Sequence, residues 1–253
     1  VKAWLGSTVA ARGLLMATLL VPGLALASIG KVSVLEGTAK RTNGEESEAL
    51  KVGSEIELND TIEVGKASNL KLTLNDESVV MLSEDSQLTI DEATFEGQER
   101  KGFVARLGLG KVWARVKKAV AGSESKFEVK TERAVAGVRG TIFRVDYGTR
   151  AAKALMPANK LRMVVRVVEG RVVVAARLPR QVVPGQVPST SGAPKGERKQ
   201  VPGPQEITQE EWEEKFIELQ ARQQWEVGDK LEAKALDTNA MKDAFGRFVD
   251  RNQ

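Results

Sequence analysis

The stretch FEVKTERAVAGVRGTIFRVDY, residues 127–147, decides the fold. Phe127-Glu128-Val129-Lys130-Thr131 alternates apolar and polar residues, the pattern of a strand with one buried face. The alternation returns at the other end, with Phe143, Val145 and Tyr147 on one face and Arg144 and Asp146 on the other. Between them, Ala134 to Thr141 are small or β-branched apart from Arg139. Gly137 and Gly140 permit backbone angles closed to other residues, or close approach of a second strand. The expectation is a strand, a tightly packed crossover and a second strand. Arg139, the one charge in the small-residue run, is expected to pair with an internal carboxylate or cap backbone carbonyls. A functional anion contact is the alternative.

Working outward, the same alternation recurs from Ile29 on. Val32 and Val34 share a face, and Leu70, Leu72 and Leu74 point inward in NLKLTL. Turns are read at Thr42-Asn43-Gly44, Asn59-Asp60 and Asn75-Asp76, with Glu45 to Glu48 as a charged loop. Asp91 to Lys101 is polar, a strand edge plus loop. Arg106 to Lys117 alternates again, with Val112, Ala114 and Val116 on one face and Trp113 on the other. Leu161 to Leu178 reads as a valine-rich hairpin around Glu169-Gly170. Turn signals spaced this closely mark an all-β sandwich, barrel or solenoid. The fold class is mainly β, a compact twisted solenoid-like or sandwich-like β domain over residues 28–187, then a linker and an α-helical tail.

The flanks differ in character. Residues 1–27 carry only two charges, Lys2 and Arg12, and a 14-residue apolar run from Leu14 to Ala27. That run is shorter than the ~20 residues of an ordinary membrane span. With Ala25-Leu26-Ala27 before Ser28, it reads as a signal peptide, a buried core helix and an uncleaved anchor being the alternatives. Residues 188–205 are rich in Pro, Gly and Ser and read as a linker. In residues 206–253, Thr208 and Glu211 form a capping box. Trp212, Phe216, Leu219, Leu231, Ala235, Phe245 and Phe248 fall at or near helical spacing. An amphipathic helical tail is expected, packed on its own β domain or laid into a partner's groove.

Composition narrows the chemistry. The 253 residues contain no cysteine and no histidine, so disulfides and thiol chemistry are excluded, along with the commonest general base and metal ligand. No phosphate loop, nucleophile elbow or helix-loop-helix calcium loop occurs. Glu84/Asp85 and Asp91/Glu92 are adjacent pairs, and neighbours on a strand point to opposite faces. A carboxylate hydrolase assembled from distant residues is the least favoured reading. The net charge of +4, from 38 basic and 34 acidic residues with 5% aromatics, does not describe a nucleic-acid surface. Arg115-Val116-Lys117-Lys118 reads as a solvated strand end.

Thr131, Ala134, Ala136, Gly137, Val138, Arg139, Gly140, Thr141 and Phe143 closely resemble the hallmark of the FecR domain family. So do Gly30, Val32, Val34, Gly37, Leu50, Gly53, Asp60, Leu72, Leu74, Asp76, Ser78, Ser86 and Leu88 upstream. The resemblance covers roughly residues 29–148. The chain departs from it at Glu77, where the family usually has glycine, which leaves the turn type open. The resemblance implies a twisted β fold and a signalling or scaffolding role in the bacterial envelope. Its best-known members relay ferric-siderophore signals to a sigma factor through a cytoplasmic segment. Only 13 residues precede the apolar run here, so that regulation is not expected.

The functional expectation is a non-enzymatic exported module, periplasmic or at the cell surface, that binds a protein partner, with edge-strand pairing as one mechanism. No catalytic residue, cofactor, metal or nucleic acid is expected, and membrane contact only if residues 1–27 are retained. The alternative is an envelope polysaccharide-binding module with Trp113, Trp212 and Trp225 as stacking platforms.

Overall fold

The computed structural model describes residues 28–118, 125–179, 212–228 and 232–253. The expected signal peptide and linker, the 208–211 capping box and Leu231 lie outside them. The first half runs β1 (Gly30–Glu36), β2 (Ala39–Asn43), β3 (Glu46–Ala49), β4 (Glu55–Ile56), β5 (Thr61–Val64), β6 (Asn69–Leu74), β7 (Val79–Leu82), β8 (Gln87–Glu96) and β9 (Glu99–Arg115). The second runs β10 (Lys126–Lys130), β11 (Ala134–Val138), β12 (Ile142–Tyr147), α1 (Arg150–Leu155), a 3-10 turn at Ala158–Lys160, β13 (Met163–Glu169), β14 (Arg171–Pro179), β15 (Trp212–Gln220), β16 (Gln223–Glu226), β17 (Lys234–Ala235) and α2 (Ala244–Asn252).

The strands form two facing sheets that share β9. The first sheet runs β4-β1-β6-β7-β9-β12-β13-β16-β17. The second runs β3-β2-β5-β8-β9-β10-β11-β14-β15. Every pairing is antiparallel except β9–β10. The fold is mainly β, as expected, and of the sandwich kind. Residues 99–109 of β9 pair with β8 in the second sheet, and 110–115 pair with β7 and β12 in the first. Gly110, at φ +95°, marks the passage; a Cβ there would meet Ser86 Cα at 2.5 Å.

The inward faces carry the alternating residues foreseen in the sequence. Val32, Leu70, Leu72, Val112 and Val145 from the first sheet pack against Ile62, Leu88, Phe127, Val129 and Val172 from the second. Phe127 stacks on Phe103 at 4.8 Å between centroids and meets Phe143 edge-on at 6.3 Å. Burial pushes the Tyr147 phenol up to about 12, so it is a neutral core group at physiological pH.

Four expectations are corrected. The presumed crossover is itself a strand: Ala134–Val138 (β11) pairs with β10 and β14, burying Ala134, Ala136 and Val138. The true crossing is at Arg139-Gly140-Thr141, where the chain passes from the second sheet to the first. The valine-rich arms at 163–179 are not a hairpin, because β13 pairs in the first sheet and β14 in the second. The two corners lock together: Thr141 Oγ1 donates to the Arg171 carbonyl at 2.8 Å. Gly170, at φ +86°, lies so close that a Cβ would meet the Gly140 carbonyl oxygen at 2.8 Å. A sharp Glu-Gly turn serves a hairpin or a corner equally, so the residues alone do not distinguish them.

The third correction is at Glu45 to Glu48. Gly44, at φ +58°, begins a tight turn and Glu46–Ala49 pairs with β2. The strand is an exposed sheet edge, where charge is compatible with pairing and discourages association. The fourth is the tail. Among its described residues, helix is confined to Ala244–Asn252; Trp212–Gln220 and Gln223–Glu226 are strands that extend both sheets. The open edges of β14 and β13 recruit this segment, overriding its helical spacing. Asp91 to Lys101, read as strand edge and loop, forms the far end of the long β8–β9 hairpin.

Glu77 adopts φ +66°, so the turn between β6 and β7 keeps a left-handed position without glycine. Asp76 secures it by accepting from Ser78 N at 3.0 Å and Ser78 Oγ at 2.8 Å. Buried Arg100 donates to Asp76 and to Ser78 Oγ and lies over the Phe127 ring.

Candidate interaction site

The site is built on the outer face of the first sheet. Strand register aligns Met81, Trp113, Arg144, Arg166 and Gln224 in one cross-strand row. The next row is Lys111, Asp146, Val164 and Glu226. Since alternate residues share a face, all of these project away from the core. Two arginines side by side repel, and the neighbouring row supplies the answer. Asp146 Oδ1 lies 2.6 Å from Arg144 Nε, and its Oδ2 lies 2.6 Å from Arg166 Nη1.

Helix α2 covers the part of this face formed by β7 and β9. Phe245, Phe248 and Val249, spaced to share one helix face, bury against Val79, Met81 and Trp113 in a cluster separate from the main core. Asp243 caps the helix by accepting from Gly246 N at 2.8 Å. It also takes two hydrogen bonds from Arg144, at 3.1 and 2.6 Å, and one from Lys111 Nζ at 2.6 Å. The Arg144 guanidinium sits 5.3 Å from the Phe245 centroid. At the other end, Lys71 Nζ donates to the Asn252 carbonyl, a cation at the helix C-terminus. The helix is therefore pinned at both ends by charge and along its length by aromatic packing. Burial alone would raise the Asp243 carboxyl; hydrogen bonds from Arg144, Lys111 and the Gly246 amide hold it well below the usual carboxylate range. Burial opposes the Arg144 charge, but Asp243 and Asp146 outweigh it and raise its pKa.

Beside α2 the face opens into a groove of about 710 Å³. Its floor is Val164, Arg166 and Asp146, and one wall is α1 with Ala152 and the following Met156. Helix α1 begins at Thr149, whose side chain accepts from Ala152 N at 3.2 Å. The sequence reading had assigned no element there.

The residues singled out from sequence fall in different places. Thr131 Oγ1 accepts from Arg133 N and Ala134 N, both at 3.1 Å, and so forms the turn between β10 and β11. Gly137 lies within β11, where a Cβ would meet only the Val173 oxygen, at 3.8 Å; neither a special angle nor close approach requires it. Val138 and Phe143 are core residues, Gly140 has φ +61°, and Thr141 clasps the corner. Arg139 is exposed rather than internal; the buried, carboxylate-paired arginine of this stretch is Arg144, five residues on. The period-two pattern had placed Arg144 and Asp146 on the polar face; nothing in the sequence announced that a helix a hundred residues later would bury it. Trp113 and Trp225 are each 2% exposed, which removes both as sugar platforms. Trp212 is in the β15 backbone, paired with Pro179.

No His/Cys/Asp/Glu group among the described residues is arranged to hold a metal. Asp85 pairs with Arg150 at 2.8 Å, Asp91 with Arg106 and Glu92 with Lys126, while Glu84 accepts from the Ala67 amide at 2.9 Å. No helix among the described residues is long and apolar enough to cross a membrane.

Fold and site together define a two-sheet β protein whose polar features are structural ion pairs and an open groove. Residues 60–173 match the FecR protein family model, so that stretch of the chain carries a FecR domain. The match takes in the hallmark and both corners but begins after the Gly30–Gly53 opening. Two solved structures of candidate anti-sigma factors from Parabacteroides distasonis ATCC 8503 are similar at low identity. One, at 2.50 Å resolution, has a TM-score of 0.45 and 16% identity over 73% of this chain and 64% of that chain. The other, at 1.65 Å, has 0.42 and 17% over 70% and 60%. This chain thus spans less than two thirds of either. No curated protein matches.

Proposed function

We propose that this FecR-domain protein is a non-enzymatic protein-interaction module, exported to the bacterial envelope, with a signalling or scaffolding role. The observation that carries the reading is the outer face of the first sheet. Its buried charges are matched to one another across strands and to Asp243, which is the economy of a structural scaffold. Beside them lies an open, mixed polar and apolar groove, a feature suited to recognition. The lack of histidine and cysteine and the family's regulatory character support the same reading. Export rests on the composition of residues 1–27.

The polysaccharide alternative loses two of its three platforms, because Trp113 and Trp225 lie in packed clusters; the Trp212 side chain lies outside the described ones. The test is expression in a bacterial host, fractionation, and N-terminal sequencing, followed by cross-linking in intact cells. A mature N-terminus at Ser28 and a reproducible cross-linked protein are expected. A cytoplasmic product with an intact N-terminus would overturn export, and recovery of no specific protein would overturn the interaction role.

A further inference from the structure

We propose that the groove between α1 and the first sheet binds a carboxylate-bearing ligand, either an acidic side chain of a docked protein or a free small organic acid. The argument begins with a charge inventory. The groove is lined by Lys111, Arg133, Arg144, Lys160, Arg162 and Arg166 against three carboxylates. Each carboxylate is already engaged. Asp243 is held by Arg144 and Lys111, Asp146 by Arg144 and Arg166, and Glu226 by a two-point pairing with Arg162 at 2.8 and 2.8 Å. The lining thus carries a formal excess of three positive charges, six against three.

The excess is not spread evenly. Arg166 is 6% exposed. Its Nε donates to Gln224 Oε1 at 3.2 Å and its Nη1 to Asp146. Nη2 has no hydrogen-bond partner among the described residues. It is not among the fully occluded unpaired atoms, so it reaches the open space that Arg166 lines. A guanidinium so largely removed from water, with one donor still open, is strongly disposed toward an oxyanion. Lys160, at the rim, forms no ion pair among the described residues and is exposed, where it adds long-range attraction.

The apolar part of the groove favours an organic acid over an inorganic one. Met156, 41% exposed, and Ala152 stand on the wall, with Leu155 exposed on the same helix. A carboxylate with a carbon skeleton places its charge on Arg166 and its apolar body on Met156. Bare phosphate uses only the first contact. The proposal rests on the interaction-module reading only for the source of the carboxylate.

The experiment is calorimetric titration of the full chain at low ionic strength with citrate, inorganic phosphate, a peptide containing Leu-Glu-Asp-Leu, and its Leu-Gln-Asn-Leu counterpart. The acidic peptide or citrate is expected to bind, with the amide peptide silent. Lys160→Glu, a change at an exposed residue with no ion pair among the described residues, is expected to weaken binding about fivefold. Arg166→Gln is expected to abolish it, with circular dichroism showing whether the sheet survives. The acidic peptide binding more tightly than citrate assigns the carboxylate to a partner protein; the reverse order assigns it to a free acid. The proposal is overturned if neither binds the wild type, if Lys160→Glu binds as the wild type does, or if phosphate binds more tightly than both. A cross-linked partner kept by Lys160→Glu, with no acid bound, would overturn the groove while leaving the module intact. Acid binding without a partner would do the opposite.

Discussion

Thr141 concentrates several demands on one side chain. Its Oγ1 donates to the Arg171 carbonyl at 2.8 Å and receives the Arg171 amide at 3.3 Å, inside a corner that is 1% exposed. Thr141→Val keeps the shape and orphans both groups, so a loss of about 1–3 kcal/mol is expected in urea melts. Gly246 gives a sharper contrast. Helix propensity alone favours alanine there by about 1 kcal/mol, yet a Cβ would overlap the Met241 carbonyl, reaching its carbon at 2.8 Å. Gly246→Ala is therefore expected to lower the melting temperature; a rise would contradict the docking of α2. Asp243→Asn tests the charge alone, because asparagine caps equally well. A loss of about 3 kcal/mol is expected at pH 7. The folded-state pKa is depressed, so the carboxylate's contribution is complete above the ordinary value near ~3.9 and disappears as pH falls through the folded value. The gap between variant and wild type should be widest above about pH 5 and narrow below about pH 4.

At the scale of elements, α2 is a small amphipathic segment that acts as a rivet. Trp113 is one of the sheet residues in the cluster it covers, and Trp113→Ala is expected to cost roughly 3–5 kcal/mol, with enhanced amide exchange in residues 244–252. Near-wild-type protection there would mean the helix is held by other means. The sequence displayed some elements openly. NLKLTL and the two ends of residues 127–147 show strict alternation, and each is a strand in the expected orientation. Phe245 and Phe248 were read as helical and are. The stretch at 212–226 was misread because Trp212, Phe216 and Leu219 fit helical spacing while Ile217 and Leu219 also fit alternation. Only the free edge of β14 decides between them. The site was less visible than the fold: its charges come from four strands, the turns beside them and a distant cap, brought together by register that no local pattern encodes.

At the scale of the whole molecule, β9 makes the two sheets one cooperative unit. Gly110→Ala places a side chain at φ +95° and against Ser86, and a loss of at least about 2 kcal/mol is expected. Far- and near-ultraviolet signals should fall in a single transition; two separate transitions would mean that the sheets unfold independently. From β9 onward the chain adds pairs of strands in turn: β10–β11 to the second sheet, β12–β13 to the first, β14–β15 to the second, β16–β17 to the first. The added pairs are unequal, from nine residues each in β14 and β15 to four in β16 and two in β17. The molecule therefore lengthens by alternate additions to its two layers and tapers where the last pair is laid down, like a beam narrowed at one end.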